Sequence, residues 1–387
     1  MGVVMERVST CLKYDAFATD GTVRRITDMP LLDPIEEEWN NLFARANAGS
    51  TCQSFLYCSL AAKLALEAGR PTYLLTLRDS HALRAAWVLT AYREAHLTIL
   101  RPASCGTHEE YSAPLLDSGG DLTTLAERMI SLARQPPADR LMVYNCLSGS
   151  VIDRVMRTVN GATRCAIGGF QIRVDRFPTW DAVTSATSGK MLKEMRRRTN
   201  KLAKVGNNLA IGWLHTPEET EAAIRFFMSV KRQWLRAKRE HSPWLAKDDV
   251  ANFLCCLARA SDLKTLPLAA AVRLDDKFVA VAFCLHNRDA IEMMLTGFDA
   301  SFATFGPGKM LVNFLARWSV ESGKSFDFGL LAAEYKEEWP VDEQPFHSYA
   351  VRLSWRGRIP TASEFIHALR VRLEQLRRRS HSFIEAQ

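Results

Sequence analysis

The sequence lacks the features that mark several protein classes. No apolar run approaches the roughly 18 residues needed to cross a bilayer. The opening residues, MGVVMERVSTCLKY, lack the charged-then-apolar layout of an export signal, and Glu6 stands where a myristoylation motif needs Ser or Thr. The nine cysteines are Cys11, Cys52, Cys58, Cys105, Cys146, Cys165, Cys255, Cys256 and Cys284. Their number is odd and none forms a Cys-x-x-Cys pair, which disfavours a disulfide framework or a zinc site. Most sit among apolar residues, as small buried thiols do, so a reduced cytoplasmic protein is expected. HExxH and Gly-x-Ser-x-Gly are both missing, and no metal is implied. No repeat of short fixed period is evident.

What is present is ordinary in bulk and uneven in detail. The chain has 387 residues, enough for two or more domains at roughly 100–200 residues each. With 47% hydrophobic and 24% charged residues it is not a wholly disordered chain. The net charge of +7 is carried by one half. Residues 1–175 hold 18 Lys+Arg against 19 Asp+Glu, a net −1, whereas residues 176–387 hold 32 against 24, a net +8. A basic second half suits an anionic ligand such as a nucleotide, and equally nucleic acid or a membrane surface. No basic–aromatic nucleic-acid module is apparent, and DNA is not an expected partner.

The pattern reads as α/β with a mixed sheet. In the first half, helices are predicted over 34–48, 54–68 and 122–134, and strands over 72–78, 83–90 and 141–147. Around 174–189 the periodicity breaks, with Pro178 inside the break, and a domain boundary is placed near 175. The second half opens with a basic helix, 190–205, ending at Gly206. A strand over 208–214 follows, then a long helix from Pro217 to about 239, its apolar stripe running through Ile224, Phe227, Val230 and Trp234. Another helix spans 247–260. Residues 266–274 and 278–286 read as a hairpin turning at Asp275-Asp276-Lys277, followed by a third strand at 290–297. Next come a loop to 308, a helix at 309–321, a strand at 325–329, a helical stretch at 330–339, a strand at 347–355 and a basic helix at 363–380.

The chemical signal lies at 290–321, where a strand leads through Gly306-Pro307-Gly308 into a helix. Free amides at a helix start bind anions, the helix dipole assists, and glycines allow a phosphate close to the backbone. Lys309 adds a positive charge, and a pyrophosphate fits such a site. The loop matches neither GxxxxGK[ST] nor GxGxxG, since position 311 is Leu311.

The order of elements over 208–355 resembles that of the Gcn5-related N-acetyltransferase (GNAT) superfamily. That family's loop motif is Arg or Gln, two residues, Gly, one residue, then Gly or Ala. Gly306 and Gly308 match it, while Ala303 stands at the Arg/Gln position. More specifically, the chain resembles the CelD-like branch associated with cellulose and other polysaccharide biosynthesis. The matching residues are Trp39, Gln53-Ser54-Phe55, Arg196-Arg197-Arg198, Phe227 to Trp234, Gly297-Phe298-Asp299, Pro307-Gly308, Asp327-Phe328-Gly329 and Tyr335-Lys336. Such proteins resemble the FemAB arrangement of two tandem acetyltransferase-like domains. Here 1–175 would be a degenerate first domain without a Gly-Pro-Gly loop, and 176–387 a complete acyl-CoA-binding domain with a basic terminal helix.

The resemblance implies acetyl-CoA or another acyl-CoA as co-substrate, and direct acyl transfer to an amine or hydroxyl acceptor. Its implied cofactor-binding residues are Leu295, Thr296, Gly297, Phe305, Gly306, Gly308, Lys309 and Met310. Tyr335 is the candidate general acid for the departing thiolate, and Asp299 and Glu292 are the candidate bases, with Asp299, at the loop entrance, the better choice. Glu292 alternates with apolar neighbours on a strand, a pattern also met at solvent-facing positions. Arg196 and Lys336 are candidate substrate-binding residues, although consecutive arginines on a helix point to different faces and Lys336 could pair with Glu337 or Glu338. The implied acceptor is a small molecule or a polysaccharide precursor, and the implied partner a polysaccharide synthesis complex. Alternatives are a FemAB-like aminoacyl transferase and a non-catalytic acetyltransferase-like scaffold.

Overall fold

Capped helices alternate with strand-rich stretches in the computed structural model, which describes residues 20–46, 49–107, 110–242, 244–330 and 333–359. The first stretch contains strand β1 (Asp20–Ile26), helices α1 (Glu36–Arg45) and α2 (Phe55–Glu67), and strands β2 (Thr72–Arg78), β3 (Leu83–Glu94), β4 (Leu97–Pro102) and β5 (Leu115–Leu116). It continues through α3 (Leu122–Leu132), β6 (Arg140–Leu147), α4 (Val151–Thr158) and β7 (Ala162–Ile172). After helices α5 (Trp180–Ala186) and α6 (Gly189–Leu202) come β8 (Leu209–Leu214), α7 (Pro217–Lys238) and α8 (Asp249–Ala260). Then follow β9 (Ala269–Leu274), β10 (Lys277–His286), β11 (Ala290–Phe298), α9 (Pro307–Glu321), β12 (Ser325–Leu330), α10 (Glu334–Glu337) and β13 (Asp342–Arg352).

Local chemistry sets these boundaries. Pro217 opens α7, the Thr216 hydroxyl accepts from the Glu219 N–H at 3.2 Å, and Glu218 and Glu219 sit at the positive end of the helix dipole. The β9–β10 hairpin turns through Asp275 and Asp276, both at positive φ (48° and 65°), as a two-residue type I′ turn requires. In β7, a Cβ on Gly169 would lie 2.5 Å from the Phe346 ring, so glycine there lets Phe346 lie across the strand.

Among the described residues, all thirteen strands form one sheet that runs unbroken across residue 175. Outward from the central β13–β7 pair the order is β6, β4, β3, β2, β1 on one side and β12, β11, β10, β9, β8 on the other, with β5 beside β3. Each flank contains one parallel pair, β4–β6 and β11–β12, in an otherwise antiparallel sheet. The last strand of each stretch crosses over, so that β7 lies against β12 and β13 against β6. Helices cover both faces. One face carries a continuous core from both stretches, including Trp39, Tyr57, Phe227 and Phe253 beneath α1, α2, α7 and α8. On the other face, α3 and α4 cover the first flank, and α9 with α6 covers the second.

Several elements depart from the sequence reading. Strands β1, β4, β5 and β7 and helices α4 and α5 have no counterpart in the sequence reading. The α7 stripe buries Ile224 and Phe227, but Trp234 is 44% exposed. The helical stretch expected at 330–339 is limited to α10, and β13 begins five residues before the expected strand, running through Pro345. The expected basic helix at 363–380 lies outside the described residues. No described helix is long and apolar enough to cross a membrane.

A buried polar clamp locks β13 to the first stretch. The fully buried Asp153 carboxylate accepts from the Tyr349 hydroxyl at 2.6 Å and the Gly149 N–H at 2.7 Å, with His347 Nδ1 at 2.7 Å and Arg157 at 2.8 Å. Burial would raise its pKa, but the hydrogen bonds from Tyr349, Gly149, His347 and Arg157 outweigh burial and hold it at about 2. Because the folded value is depressed from 3.8, this stabilisation is present above that pH and is lost as the pH falls through about 2. Asp153→Asn is therefore expected to cost about 2 kcal/mol of unfolding free energy at pH 7, with the gap to wild type narrowing in acid. Urea denaturation at pH 7 and pH 3 checks this, and equal stability at pH 7 would contradict it.

Candidate active site

The site begins where two parallel strands part. β11 and β12 pair from Ala290–Ser325 to Glu292–Asp327, after which the strands diverge. At the same place β11 takes an extra residue: Cys284 faces Met293 and Phe283 faces Leu295, leaving Met294 between them. The bulge keeps β11 on β10 while turning its other edge away from β12. A cavity of about 380 Å³ opens in the fork. Glu292, Leu295, Thr296, Tyr335 and Lys336 line it from the sheet side. Its outer wall includes Lys231, Trp234, His241 and Trp244, from α7 and the segment after it.

The floor of the fork is charged and buried. Glu292 is 2% exposed and accepts from Asn287 Nδ2 at 2.8 Å. The Asp327 carboxylate accepts from Tyr111 Oη and Gln171 Nε2, both at 2.9 Å, and from the Gly329 N–H at 2.7 Å. Burial pushes the Asp327 carboxyl up, while these donors and the nearby Lys336 ammonium oppose that rise. Lys336 is also buried and donates to the carbonyls of Gly329 (3.2 Å) and Leu330 (2.8 Å), so it ties α10 to the end of β12.

A second cavity, of about 290 Å³, lies at the start of α9. Gly306 joins a 3-10 turn to the helix at φ 65°, a left-handed conformation that favours glycine. Its N–H donates to Ala303 O, and the N–H groups of Lys309 and Met310 turn back to Gly306 O at 3.0 and 3.4 Å. Pro307 has no N–H, so among the described residues the Gly308 N–H is the amide at this turn without a protein acceptor. Phe305, Gly306 and Lys309 line the cavity together with Lys190 and Arg198 of α6. Both principal cations carry carboxylate partners. Lys309 Nζ lies 2.6 Å from both oxygens of Glu338, and Arg198 Nε lies 2.7 Å from Glu194.

The expected site residues separate by position. Glu292, Leu295, Thr296, Tyr335 and Lys336 converge on the larger cavity, and Phe305, Gly306 and Lys309 on the smaller, with Gly308 beside it. Glu292 is buried rather than solvent-facing. The Lys336 ammonium is turned inward to the β12 carbonyls of Gly329 and Leu330. Asp299 lines neither cavity; its carboxylate caps the following turn, accepting from the Ser301 N–H at 2.9 Å and hydroxyl at 2.7 Å. The Met310 side chain is in the core under α9. Gly297 faces α7, where a Cβ would stand 3.0 Å from Phe227, so its small size serves helix packing. Arg196 is exposed and lines neither cavity, whereas Arg198, two positions on and on another helical face, does. Glu338, Tyr111 and Gln171 were not singled out from sequence. Tyr111 and Gln171 are distant in the chain and reach the fork only through the crossed strands.

The second half of this chain matches the family model described as "Acetyltransferase (GNAT) domain" over residues 189–337. That segment runs from α6 through α10 and includes the lining of the larger cavity and all of the smaller one's except Ser188 and Glu338. The chain is similar in fold to the solved structure titled FemX (TM-score 0.53, 8% identity, covering 81% of this chain and 95% of that one). It is also similar to a conserved protein of unknown function from Bacteroides thetaiotaomicron (TM-score 0.52, 11% identity, covering 82% and 97%). No curated protein matches the sequence.

An anionic group such as a diphosphate fits the open helix start, glycine turn and cations of the smaller cavity, and the competing carboxylate gives a signed test. Glu338→Gln is expected to tighten CoA binding about fivefold by freeing Lys309, and Gly308→Asp to weaken it at least about thirtyfold by placing a like charge at the helix start. Calorimetric titration of CoA measures both, and unchanged affinity in the two variants would remove this turn from the site. The chain thus has a mixed-sheet, GNAT-like fold, and its residues 189–337 match the acetyltransferase (GNAT) domain model.

Proposed function

We propose that this protein transfers an acyl group from acyl-CoA to an amine or hydroxyl of a sugar-containing acceptor, using the fork between β11 and β12. The observation that carries this reading is the convergence of Glu292 and Tyr335 on one cavity, at the point where β11 leaves β12 and heads toward the glycine turn. Lys309, Arg198 and the Gly308 N–H would hold the diphosphate, and the free edge of β11 around Leu295 and Thr296 would hold the pantetheine arm. Bound there, acyl-CoA supplies an activated thioester. Glu292 accepts the proton of the attacking acceptor, and the Tyr335 phenol returns a proton to the departing sulfur. Burial and exclusion of water strengthen the electrostatics that orient both groups.

In this reading the chain consists of two acetyltransferase-like halves dividing near residue 175, of which the second is the working one. The repeated order of elements supports this. From β1 the chain runs two helices, three strands, helix, strand, helix, strand, and from β8 it runs the same series, apart from the two-residue β5 in the first. The fork of the first half, between β4 and β6, is filled by its own chain. Trp87 Nε1 donates to Ser112 O, Gln53 Nε2 to Ala113 O and Asn145 Nδ2 to Glu110 O. Gln53 of the Gln-Ser-Phe stretch thus pins the plug.

The mouth of the larger cavity bears on the acceptor. Trp234 offers an exposed aromatic face, with Lys238 Nζ 4.3 Å from its centroid and Lys231 beside it. A flat apolar face flanked by cations suits a sugar ring carrying phosphate or carboxylate, in keeping with the CelD-like resemblance. Release of free CoA from acetyl-CoA, followed with amino sugars and neutral sugars as acceptors, tests the proposal. Tyr335→Phe and Glu292→Gln are each expected to lower kcat by about 10²-fold while leaving the Kd for CoA within twofold. Full turnover in both variants, or no acceptor-dependent CoA release by wild type, would refute the assignment.

A further inference from the structure

We infer that Tyr111, a residue of the first half, is a positioning residue for the second half's site, holding through Asp327 the segment that carries Tyr335. This rests on the proposed role of Tyr335. Tyr111 lies in the plug that fills the first fork, and its ring stacks on Phe346 of β13, with centroids 5.1 Å apart and planes 10° from parallel. The stack aims its hydroxyl across the sheet at Asp327 Oδ2, 2.9 Å away. Burial, with Asp327 and Glu292 nearby, pushes the phenol well up, so it stays protonated and donates.

Asp327 passes this constraint on through short contacts. Its Oδ1 accepts the Gly329 N–H at 2.7 Å and fixes a residue at φ 75°. The Gly329 carbonyl receives Lys336 Nζ, and Lys336 adjoins Tyr335 in α10. The four residues of α10 are too few to hold a rigid helix alone, so external anchoring sets where Tyr335 stands. Gln171 of β7 donates to the same Asp327 oxygen at 2.9 Å, which makes two of the three hydrogen-bond donors on this carboxylate residues of the first 175. Among the described residues the first fork is filled, and a residue of that plug supports the other fork.

Tyr111→Phe keeps the ring stack and removes only the hydroxyl. Amide exchange over residues 333–339 is expected to quicken at least about fivefold while α3 stays unchanged. kcat for acyl transfer is expected to fall about tenfold with the Kd for CoA within twofold. Gln171→Met, which removes the other side-chain donor to the same oxygen, is expected to loosen the same segment to a smaller degree and stands in if the first variant does not fold. Unchanged exchange over 333–339, or an equal rise throughout the protein, overturns the inference whatever happens to kcat. If exchange rises locally but wild type transfers no acyl group, the positioning contact stands and the enzymatic reading fails.

Discussion

The parting of β11 and β12 after three paired positions governs the rest of the site. Parallel neighbours in a covered sheet normally stay paired, because an unpaired backbone edge inside a protein is costly. Here two constraints pull the strands apart. β12 is held on its other side by β7, through Phe326–Ile172 and Asp327–Gln171, and β11 is turned by the extra residue at Met294. Under the proposed function, the pantetheine arm of acyl-CoA would pair with the edge of β11 that β12 leaves. The crossed strands β7 and β13 are thus more than a seam between halves: β7 fixes one wall of the fork, and β13 carries the Phe346 ring that supports Tyr111.

Charge is distributed around the fork with little left uncompensated. Asp327 and Lys336 are buried and satisfied by short contacts, which suits a framework role. Lys309 and Arg198 at the smaller cavity are half-exposed, and each is held by a carboxylate that an incoming diphosphate would displace. Replacing one carboxylate with a doubly charged ligand costs little, since exposed pairs contribute only about 0–1 kcal/mol. The basic character of the second half therefore survives at this cavity as paired, exchangeable charge rather than as a bare patch.

Much of the second half was legible in its sequence because its signals are local. Pro217, the Asp275-Asp276 turn and the Gly306-Pro307-Gly308 junction each act within a few residues, and the helices and strands they bound lie close to where they were expected. The first half was read less well. β7 contains two glycines and little alternation, since its partners Glu343 and Phe346 occupy the space its side chains would need. Glu292 lies mid-strand and Asp299 at the start of the next loop, and only tertiary placement puts the strand carboxylate in the fork. Arg198 differs from Arg196 by helical phase alone, and Tyr111 reaches the site through strand crossing, which no local pattern records. Among the described residues, the space beside β4 and β6 is taken by the loop that Gln53 and Trp87 hold in place.

Under the proposed function, one open fork beside one filled fork means one CoA site per chain. Titration of acetyl-CoA into the intact chain, followed by calorimetry, measures it most directly. A single site per chain is the expected result. No binding up to millimolar concentration, or two equivalent sites, would contradict the account.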